Sequence, residues 1–268
     1  MSVFQAVILG LVQGIAEFLP ISSSGHLLLL HNFFSYEVSA GSMLTFDIMV
    51  HIGTLLALVA VFWSDIAALV KKPVQRMTGL LIVATIPAIV VGFLFKDPIE
   101  AAFNNGLMLA ATFSITGVLL LIADRLPTGK KTHDEVSWLD AIIIGCMQAV
   151  GLPPGISRSG ATITGSLIRG LTRETAAKFS FLLAGIAITG AGVLQGFDII
   201  RDASALAAID ALPMLFGFAA SALSGYLAVR WLLKLISSCR LRIFAYYVFA
   251  LSVFLVVDHF FMNILFQK

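Results

Sequence analysis

Long apolar runs are the feature that most limits how this chain can fold. Hydrophobic residues make up 59% of its 268 residues, while charged residues make up 12%, well below the roughly 25% of a typical soluble domain. Crossing the hydrocarbon core of a bilayer takes roughly 20 apolar residues in a helix. Candidate spans of this kind run over 44–63, 78–95, 106–124, 176–196, 212–232 and 243–263. We therefore expect an all-α polytopic membrane protein with about six full transmembrane helices.

A short polar motif occurs twice in this apolar chain. Ile-Ser-Ser-Ser-Gly at 21–25 returns 135 residues later as Ile-Ser-Arg-Ser-Gly at 156–160. The preceding residues repeat at the same offset, since Gln13 returns as Gln148. This pattern predicts a single membrane domain made of two repeats, about 1–130 and 136–268.

The basic residues indicate how the two repeats are oriented. Residues 1–43 contain no Lys or Arg, whereas Lys71 and Lys72 follow the first span, and basic-rich and basic-poor connections alternate from there. The positive-inside rule puts the basic-rich connections in the cytoplasm. Each half then has three spans, so the halves have opposite orientations and both termini lie outside. This is an inverted-topology repeat, whose sites typically lie near the midplane at the repeat interface.

Two segments remain outside the six spans, 1–36 and 137–170. Each consists of an apolar stretch, a break rich in Pro, Ser and Gly, and a second apolar stretch. Each must begin and end on the same side, so we expect two re-entrant helical hairpins, one entering from outside and one from inside. Broken backbone at membrane depth is tolerated only where protein or a watery cavity covers it. The two tips, 17–26 and 153–162, are therefore expected to meet.

The second tip has the composition of an anion site. Pro153 and Pro154 break the incoming helix, and the N-terminus of the next helix offers free N–H groups and a positive dipole end. The planar guanidinium of Arg158 suits phosphate, and an Arg within a membrane segment marks a functional site. The alternative is an Arg158 that snorkels or makes a structural ion pair. The other residues expected to bind substrate here are Gly155, Ser157, Ser159, Gly160 and Thr162.

The first tip supplies an acid, hydroxyl groups and a histidine. Gln13 and Glu17 are four residues apart, on one face of a helix. Glu17 can accept a proton, pair with Arg158 or hold a divalent cation. Ser23 occupies the position of Arg158 in the repeat, and its hydroxyl is a weak nucleophile unless a base such as Glu17 or His26 activates it. The alternative is that the serines only cap and turn the chain and that His26 only bonds backbone.

Three polar residues outside the motifs are weaker candidates. Asp47 and His51, also four residues apart, either line the cavity or form a polar pair at the end of the first span. His31, near the outer end of the first hairpin, is expected at the interface. The sequence has no zinc-type His/Cys spacing, P-loop, Rossmann glycine pattern or nucleic-acid-binding array. No nucleic acid is therefore expected as a partner.

Both tips carry long motifs, GxxQGxxEFLPxSSSGH over 10–26 and PGxSRSGxT over 154–162. With these motifs the chain resembles the integral-membrane undecaprenyl-pyrophosphate phosphatases linked to bacitracin resistance, and the resemblance extends along the whole chain. That family removes the terminal phosphate of a C55 polyprenyl pyrophosphate and leaves the monophosphate carrier used in cell-wall synthesis. The resemblance implies a location in the bacterial plasma membrane and a site open to the extracytoplasmic side.

The resemblance also implies roles for individual residues. By position, Ser23 matches the serine implicated as nucleophile, and His26 and Arg158 match the family histidine and arginine. Gln13 and Glu17 match a motif associated with catalysis and with dependence on a divalent cation, Mg²⁺ or Ca²⁺, for which Glu17 is the candidate ligand. Gln in the first position weakens the idea of two carboxylates holding the metal. Ser22 and Ser24 are expected to join Gln13 in binding substrate.

The expected partners are a lipid pyrophosphate substrate and membrane lipids, with a homodimer left open. In the expected reaction Ser23 attacks the phosphoryl group while Glu17 or His26 takes its proton. The variants are His26 as nucleophile and direct activation of water by Glu17. The rival function is a polyprenyl-phosphate transporter or flippase, because inverted repeats with broken helices at the midplane are typical of transporters.

Overall fold

The protein is a bundle of α-helices in the computed structural model, which describes residues 1–34, 40–102, 105–201, 210–235, 240–262 and 264–266. Those residues form twelve α-helices and no β-strand. The helices are α1 Val3–Phe18, α2 Ser23–Phe34, α3 Ala40–Val61, α4 Trp63–Lys71, α5 Arg76–Leu94, α6 Lys96–Ala102, α7 Gly106–Arg125, α8 Trp138–Val150, α9 Arg158–Ile168, α10 Arg173–Arg201, α11 Ala211–Leu235 and α12 Arg242–Val257.

Six of these helices, α3, α5, α7, α10, α11 and α12, are long and apolar enough to cross a membrane. All six spans expected from the sequence fall on them, so the expected polytopic helical membrane protein is confirmed at this level. Large apolar side chains cover the outside of the bundle, as shown by Phe93 on α5 and Leu223 on α11, which are 73% and 63% exposed. Such a surface suits lipid, and the chain is a multi-pass membrane protein.

The two leftover segments each fold as two short helices with a break between them. α1 ends at Phe18 because the ring of Pro20 disfavours the helical conformation of Leu19, which is extended with ψ 146°. α2 then begins at Ser23. In the second segment α8 ends at Val150, and α9 begins directly after Ser157, which caps it. The expected sequence of helix, break and helix is therefore present in both segments.

Five helices of the first half correspond in order and packing to the five of the second half, whereas α4 and α6 have no counterpart among the described residues. α8, α9 and α11 each begin 135 residues after α1, α2 and α5, and α12 begins 136 residues after α7. α1 packs against α11, and α8, which corresponds to α1, packs against α5, which corresponds to α11. α7 packs against its own counterpart α12, and α3 against its counterpart α10. Each of these contacts therefore joins a helix of one half to a helix of the other half.

Small residues bring α1 and α11 close together. A Cβ atom at Gly14 would lie 2.5 Å from the carbonyl oxygen of Ser221 and 2.6 Å from the amide nitrogen of Gly225. Close backbone approach at glycine is a common way of packing helices in membranes, where the hydrophobic effect between helices is weak. Just beyond this contact, the ring of Phe18 packs edge-on against Phe181 of α10, with 5.8 Å between centroids. The end of α1, which carries Glu17, is therefore held on two sides.

Candidate active site

The two polar breaks touch each other. The hydroxyl of Ser22 accepts a hydrogen bond from the N–H of Gly155 at 3.1 Å, and the hydroxyl of Ser159 donates to the carbonyl of Leu19 at 3.1 Å. Gly25 lies so close that an added Cβ would be 3.1 Å from the Cα of Gly155. The sequence predicts that the tips meet, and the structure has this contact, with hydrogen bonds running from each tip to the other.

The turn before Ser23 has an uncommon backbone conformation. Ser22 has φ +70°, in the left-handed region. This backbone conformation costs a non-glycine residue about 1–3 kcal/mol and persists only where the surrounding structure holds it. Its carbonyl accepts from Nδ1 of His26 at 2.7 Å, and its hydroxyl accepts from the N–H of Gly25 at 3.4 Å. The hydrogen bond from Gly155 adds a third contact. Ser23 begins α2 directly after this held turn.

Glu17 is the centre of the polar cluster. Its carboxylate is buried, and Oε2 accepts from the hydroxyl of Ser23 at 2.6 Å and from Nε2 of Gln13 at 3.0 Å. Its other oxygen, Oε1, accepts from Nη2 of Arg158 in an ion pair between the two tips. Nε2 of His51 lies 3.7 Å from Oε2. The structure therefore brings together the predicted acid, serine, glutamine and arginine.

Two helix N-termini converge on this cluster. α2 begins at Ser23 and α9 at Arg158, and both side chains contact Glu17. The hydroxyl of Ser157 caps α9 by accepting from the N–H of Gly160 at 3.0 Å. The first turn of a helix presents free N–H groups and the positive end of the dipole. With the guanidinium of Arg158, the two termini form a site suited to a phosphate group.

A cavity of about 470 Å³ opens beside the cluster. Its polar end is formed by Glu17, Ser22, Ser23, Ser24, Ser157 and Arg158. Its walls are mainly apolar and come from α2, α3 and α10, with Leu27, Met43, Leu44, Ile48, Ile52 and Ile188 among them. A cavity with a cationic polar end and apolar walls suits a ligand with an anionic head and a hydrocarbon tail.

Five predicted binding residues do not line this cavity. They are buried in the protein behind the residues that do. Gln13 is fully buried, and Gly155, Ser159, Gly160 and Thr162 lie within the packed second tip. The hydroxyl of Thr162 donates to the carbonyl of Arg158 at 2.9 Å and lies 2.6 Å from the hydroxyl of Ser180. Their contacts hold the backbone that presents Arg158 and Ser157 to the cavity.

His26 faces away from the cavity. Because a carbonyl can only accept, the contact with Ser22 requires the proton of His26 on Nδ1, and Nε2 then accepts from the hydroxyl of Tyr247 at 2.8 Å. The ring also stacks on Tyr247 and meets the edge of Phe113, with centroid distances of 5.6 and 5.5 Å. The structure thus does not bring His26 to Ser23 and Glu17 in the way that it brings Arg158.

Three wall residues gain importance from the structure. Asp47, His51 and His31 all line the cavity. Nε2 of His31 lies 2.9 Å from Oδ1 of Asp47, and Nδ1 of His51 donates to the carbonyl of Asp47 at 2.6 Å, so that Nε2 of His51 faces Glu17. The four-residue spacing of Asp47 and His51 was the sequence signal for this arrangement. His31, whose place at the membrane interface stays a prediction, is buried against Asp47.

The donor set of the cluster limits how a divalent cation fits. The described part of the chain contains no group of three or more His, Cys, Asp or Glu side chains arranged to hold a metal ion. Both oxygens of Glu17 already accept from protein donors, and Gln13 turns an N–H, not an oxygen, toward it. Mg²⁺ commonly binds through one or two carboxylates together with substrate phosphates. Glu17 and Asp47 are carboxylates that line the cavity.

Comparison with known proteins identifies close relatives of this chain. The family model described as bacitracin resistance protein BacA matches residues 6–254. The undecaprenyl-diphosphatase of Carboxydothermus hydrogenoformans is 47% identical over 257 residues, covering 96% of this chain and 97% of the relative. Undecaprenyl-diphosphatase 4 of Bacillus cereus is 42% identical, with 97% and 98% covered. The undecaprenyl-diphosphatase of Methanobrevibacter smithii is 39% identical, with 92% and 94% covered.

Proposed function

The chain belongs to the bacitracin resistance protein BacA family, and from that premise and the site geometry we propose that it hydrolyses undecaprenyl diphosphate. The enzyme is an undecaprenyl-diphosphatase, which releases phosphate and leaves undecaprenyl monophosphate. The observation that carries this function is the joining of Ser23, Glu17 and Arg158 at the polar end of one cavity. The test is release of inorganic phosphate from undecaprenyl diphosphate by the purified protein in detergent.

The cavity suggests how the substrate lies. The diphosphate takes the polar end, where the guanidinium of Arg158 and the N-termini of α2 and α9 neutralise its charge. The prenyl chain leaves along the apolar walls of α3 and α10 toward the lipid. The pairing of Arg158 with Glu17 holds the guanidinium in place before substrate arrives, so little reorganisation is needed at the moment of reaction.

The short contact between Ser23 and Glu17 supports a phosphoserine route. Oγ of Ser23 attacks the terminal phosphorus while Oε2 of Glu17 accepts its proton across the 2.6 Å contact. The bond between that phosphorus and the bridging oxygen breaks, and undecaprenyl monophosphate leaves with the bonding electrons. Water then attacks the phosphoserine and releases phosphate, and the oxygen of Ser23 regains a proton from Glu17.

His26 acts in this scheme as a positioning residue. Its two ring nitrogens are engaged by the carbonyl of Ser22 and the hydroxyl of Tyr247, so it holds the left-handed turn that precedes Ser23. Of the three candidates for nucleophile or base, Ser23 and Glu17 are the two that face the cavity.

The proposal includes a divalent cation, Mg²⁺ or Ca²⁺, that would bind together with the diphosphate of the substrate. Glu17 and Asp47 are the carboxylates that would meet it in the cavity. When bound, such a cation would neutralise charge on the phosphate oxygens. The chain's own contribution remains the cluster of Ser23, Glu17 and Arg158.

The orientation and the inverted repeat remain part of the proposal, with the two short helix pairs as re-entrant hairpins. The shared order of five corresponding helices in each half and the alternation of basic connections support it. The cavity lies along 43–52 of α3 and 188–195 of α10. Lys71 and Lys72 follow the other end of α3, and Arg169 precedes the other end of α10. By the positive-inside rule the cavity then faces the extracytoplasmic side of the bacterial plasma membrane.

The transporter or flippase alternative is not favoured. A transport site needs hydrogen-bond donors for the phosphate. It does not need a hydroxyl that is hydrogen-bonded to a buried carboxylate, as the hydroxyl of Ser23 is to Glu17. Lipid scrambling in vesicles without release of phosphate would be the result that restores this alternative.

A further inference from the structure

Thr116, a buried residue of α7 that belongs to neither tip motif, bridges the backbone of the second tip. Its hydroxyl donates to the carbonyl of Gly155 at 2.8 Å and accepts from the N–H of Ser157 at 2.9 Å. These partners lie 39 and 41 residues away in sequence, and Thr116 is 1% exposed. One hydroxyl thus satisfies both a buried acceptor and a buried donor, which a hydroxyl can do because it has one hydrogen and two lone pairs.

The bridged backbone is the part that carries Arg158. Gly155 has φ +88°, in the left-handed region, and its N–H is bound by the hydroxyl of Ser22 from the first tip. Its peptide groups are therefore held from the first tip on one side and from Thr116 on the other. Ser157 caps α9, and Arg158 is the first residue of that helix. Any shift of this turn moves the start of α9 and the guanidinium with it.

We infer that Thr116 is a positioning residue for the hydrolysis, acting through Arg158. It touches neither the cavity nor Glu17, and it holds the turn that places the guanidinium against Glu17 and the phosphate site. Misplacement of a reacting geometry by about 1 Å can lower a rate by about 100-fold. This inference rests on the proposed diphosphatase activity.

The test is a set of three variants of the full-length protein in detergent. Thr116→Val keeps the shape and removes both hydrogen bonds, and we expect kcat to fall about 10- to 100-fold with a smaller change in KM. Thr116→Ser restores the hydroxyl and most of the rate. Thr85→Val on α5 is the control, because the hydroxyl of Thr85 donates to the carbonyl of Leu81 within its own helix at 2.8 Å, and Thr85 belongs to neither tip nor the cavity lining. It should keep kcat within about 3-fold of wild type, since a single local hydrogen bond contributes little.

A double-mutant cycle identifies the route of the effect. If Thr116 acts through Arg158, Thr116→Val should cause little further loss once Arg158 is Ala, because contributions made through one shared group are not additive. Equal kcat in Thr116→Val and wild type, equal losses in Thr116→Val and Thr85→Val, or a full additive loss in the Arg158→Ala background would each overturn the inference. Release of no phosphate by the wild-type protein would instead count against the proposed function. Melting temperatures in detergent show that each variant compared is folded.

Discussion

At the scale of residues, the site depends on one carboxylate with several partners. Glu17 binds Gln13 of α1, Ser23 of the first tip and Arg158 of the second tip at once. A buried carboxylate is tolerable only when its charge is paired and its oxygens are hydrogen-bonded. The same contacts that pair the charge of Glu17 in an apolar chain also set its carboxylate beside the hydroxyl of Ser23 and the guanidinium of Arg158, as the proposed mechanism requires.

Ser23→Ala tests the nucleophile. We expect kcat to fall by at least about 10³-fold, because removal of a nucleophile disables the covalent step and leaves only binding and electrostatic contributions. Rapid quench of the wild-type protein with labelled diphosphate should trap phosphoserine at position 23, detected by mass spectrometry. If the Ala variant keeps near-normal turnover, the phosphoserine route is wrong and direct activation of water by Glu17 takes its place.

His26→Asn separates positioning from proton transfer. The Asn amide can place an N–H donor near the position of Nδ1 and so keep the contact with the Ser22 carbonyl, but it has no group that accepts a proton near pH 7. A general base is worth about 10²–10⁴-fold, so retention of activity within about 10-fold of wild type supports positioning. His26→Ala, which lacks the donor, should lose more. Equal, near-complete loss in both variants would return His26 to the catalytic candidates.

At the scale of helices, the pair α8 and α9 is held at the end away from its tip as well as at the tip. The anchor there is Asp140, a fully buried residue near the start of α8. Its oxygens accept from Nζ of Lys131 at 3.0 and 3.1 Å and from Nε of Arg169 at 2.7 Å. Ser137 and Asp140 also form a capping box. One side chain therefore ties the start of α8 to the end of α9 and to the connection between the halves.

Acid should weaken this anchor. Burial favours the neutral form of Asp140, but hydrogen bonds from Ser137, Lys131 and Arg169 outweigh it and lower the pKa of the carboxyl from 3.8 to about 2. A lowered pKa in the folded state means that the stabilising contribution is complete above about pH 4 and is lost as the pH falls toward 2. Melting curves in detergent should show this loss in wild type and not in Asp140→Asn, which should be less stable at pH 7. Identical pH profiles for the two proteins would contradict this assignment.

At the scale of the whole molecule, the site exists only because two halves of the chain meet. Neither break is complete alone, since the first supplies the acid and the hydroxyl and the second supplies the guanidinium. Packing is shared in the same way, because α1 packs on α11 and α8 on α5. A polar break inside an apolar bundle must be covered by protein, and here each break covers the other.

The proposed orientation can be tested by labelling from one side of the membrane. With the native cysteines replaced by Ala, Asn105→Cys should react with a membrane-impermeant maleimide in intact spheroplasts. Thr128→Cys should react only after the membrane is opened. Both positions are exposed and lie outside the six spans, in a basic-poor and a basic-rich connection respectively. The reverse pattern would place the cavity on the cytoplasmic side.

Much of the architecture follows from patterns that are local in sequence. Span length, the apolar runs and the Pro-containing breaks depend on neighbouring residues, which is why all six spans and both breaks could be predicted. The candidate cluster was also predictable in part, because Glu17 and Arg158 are charges that an apolar chain can bury only as partners. Thr116 and Tyr247 could not be found in this way, because a Thr or Tyr in an apolar run is ordinary and gains its role only from a contact 39 or 221 residues away.

The sequence by itself determined that this chain is a helical membrane protein with two polar breaks and an acid, hydroxyl and arginine among them, because hydrophobicity and backbone restrictions act over a few residues. Only the tertiary structure decided which side chains share the cavity. His26 is close in sequence to Ser23, yet the fold turns its ring toward Tyr247. His51 is close in sequence to Asp47, yet the fold also brings its Nε2 toward Glu17. The physical reason is that the direction of a side chain depends on which helices pack around it, and that packing is set by contacts between the two halves of the chain.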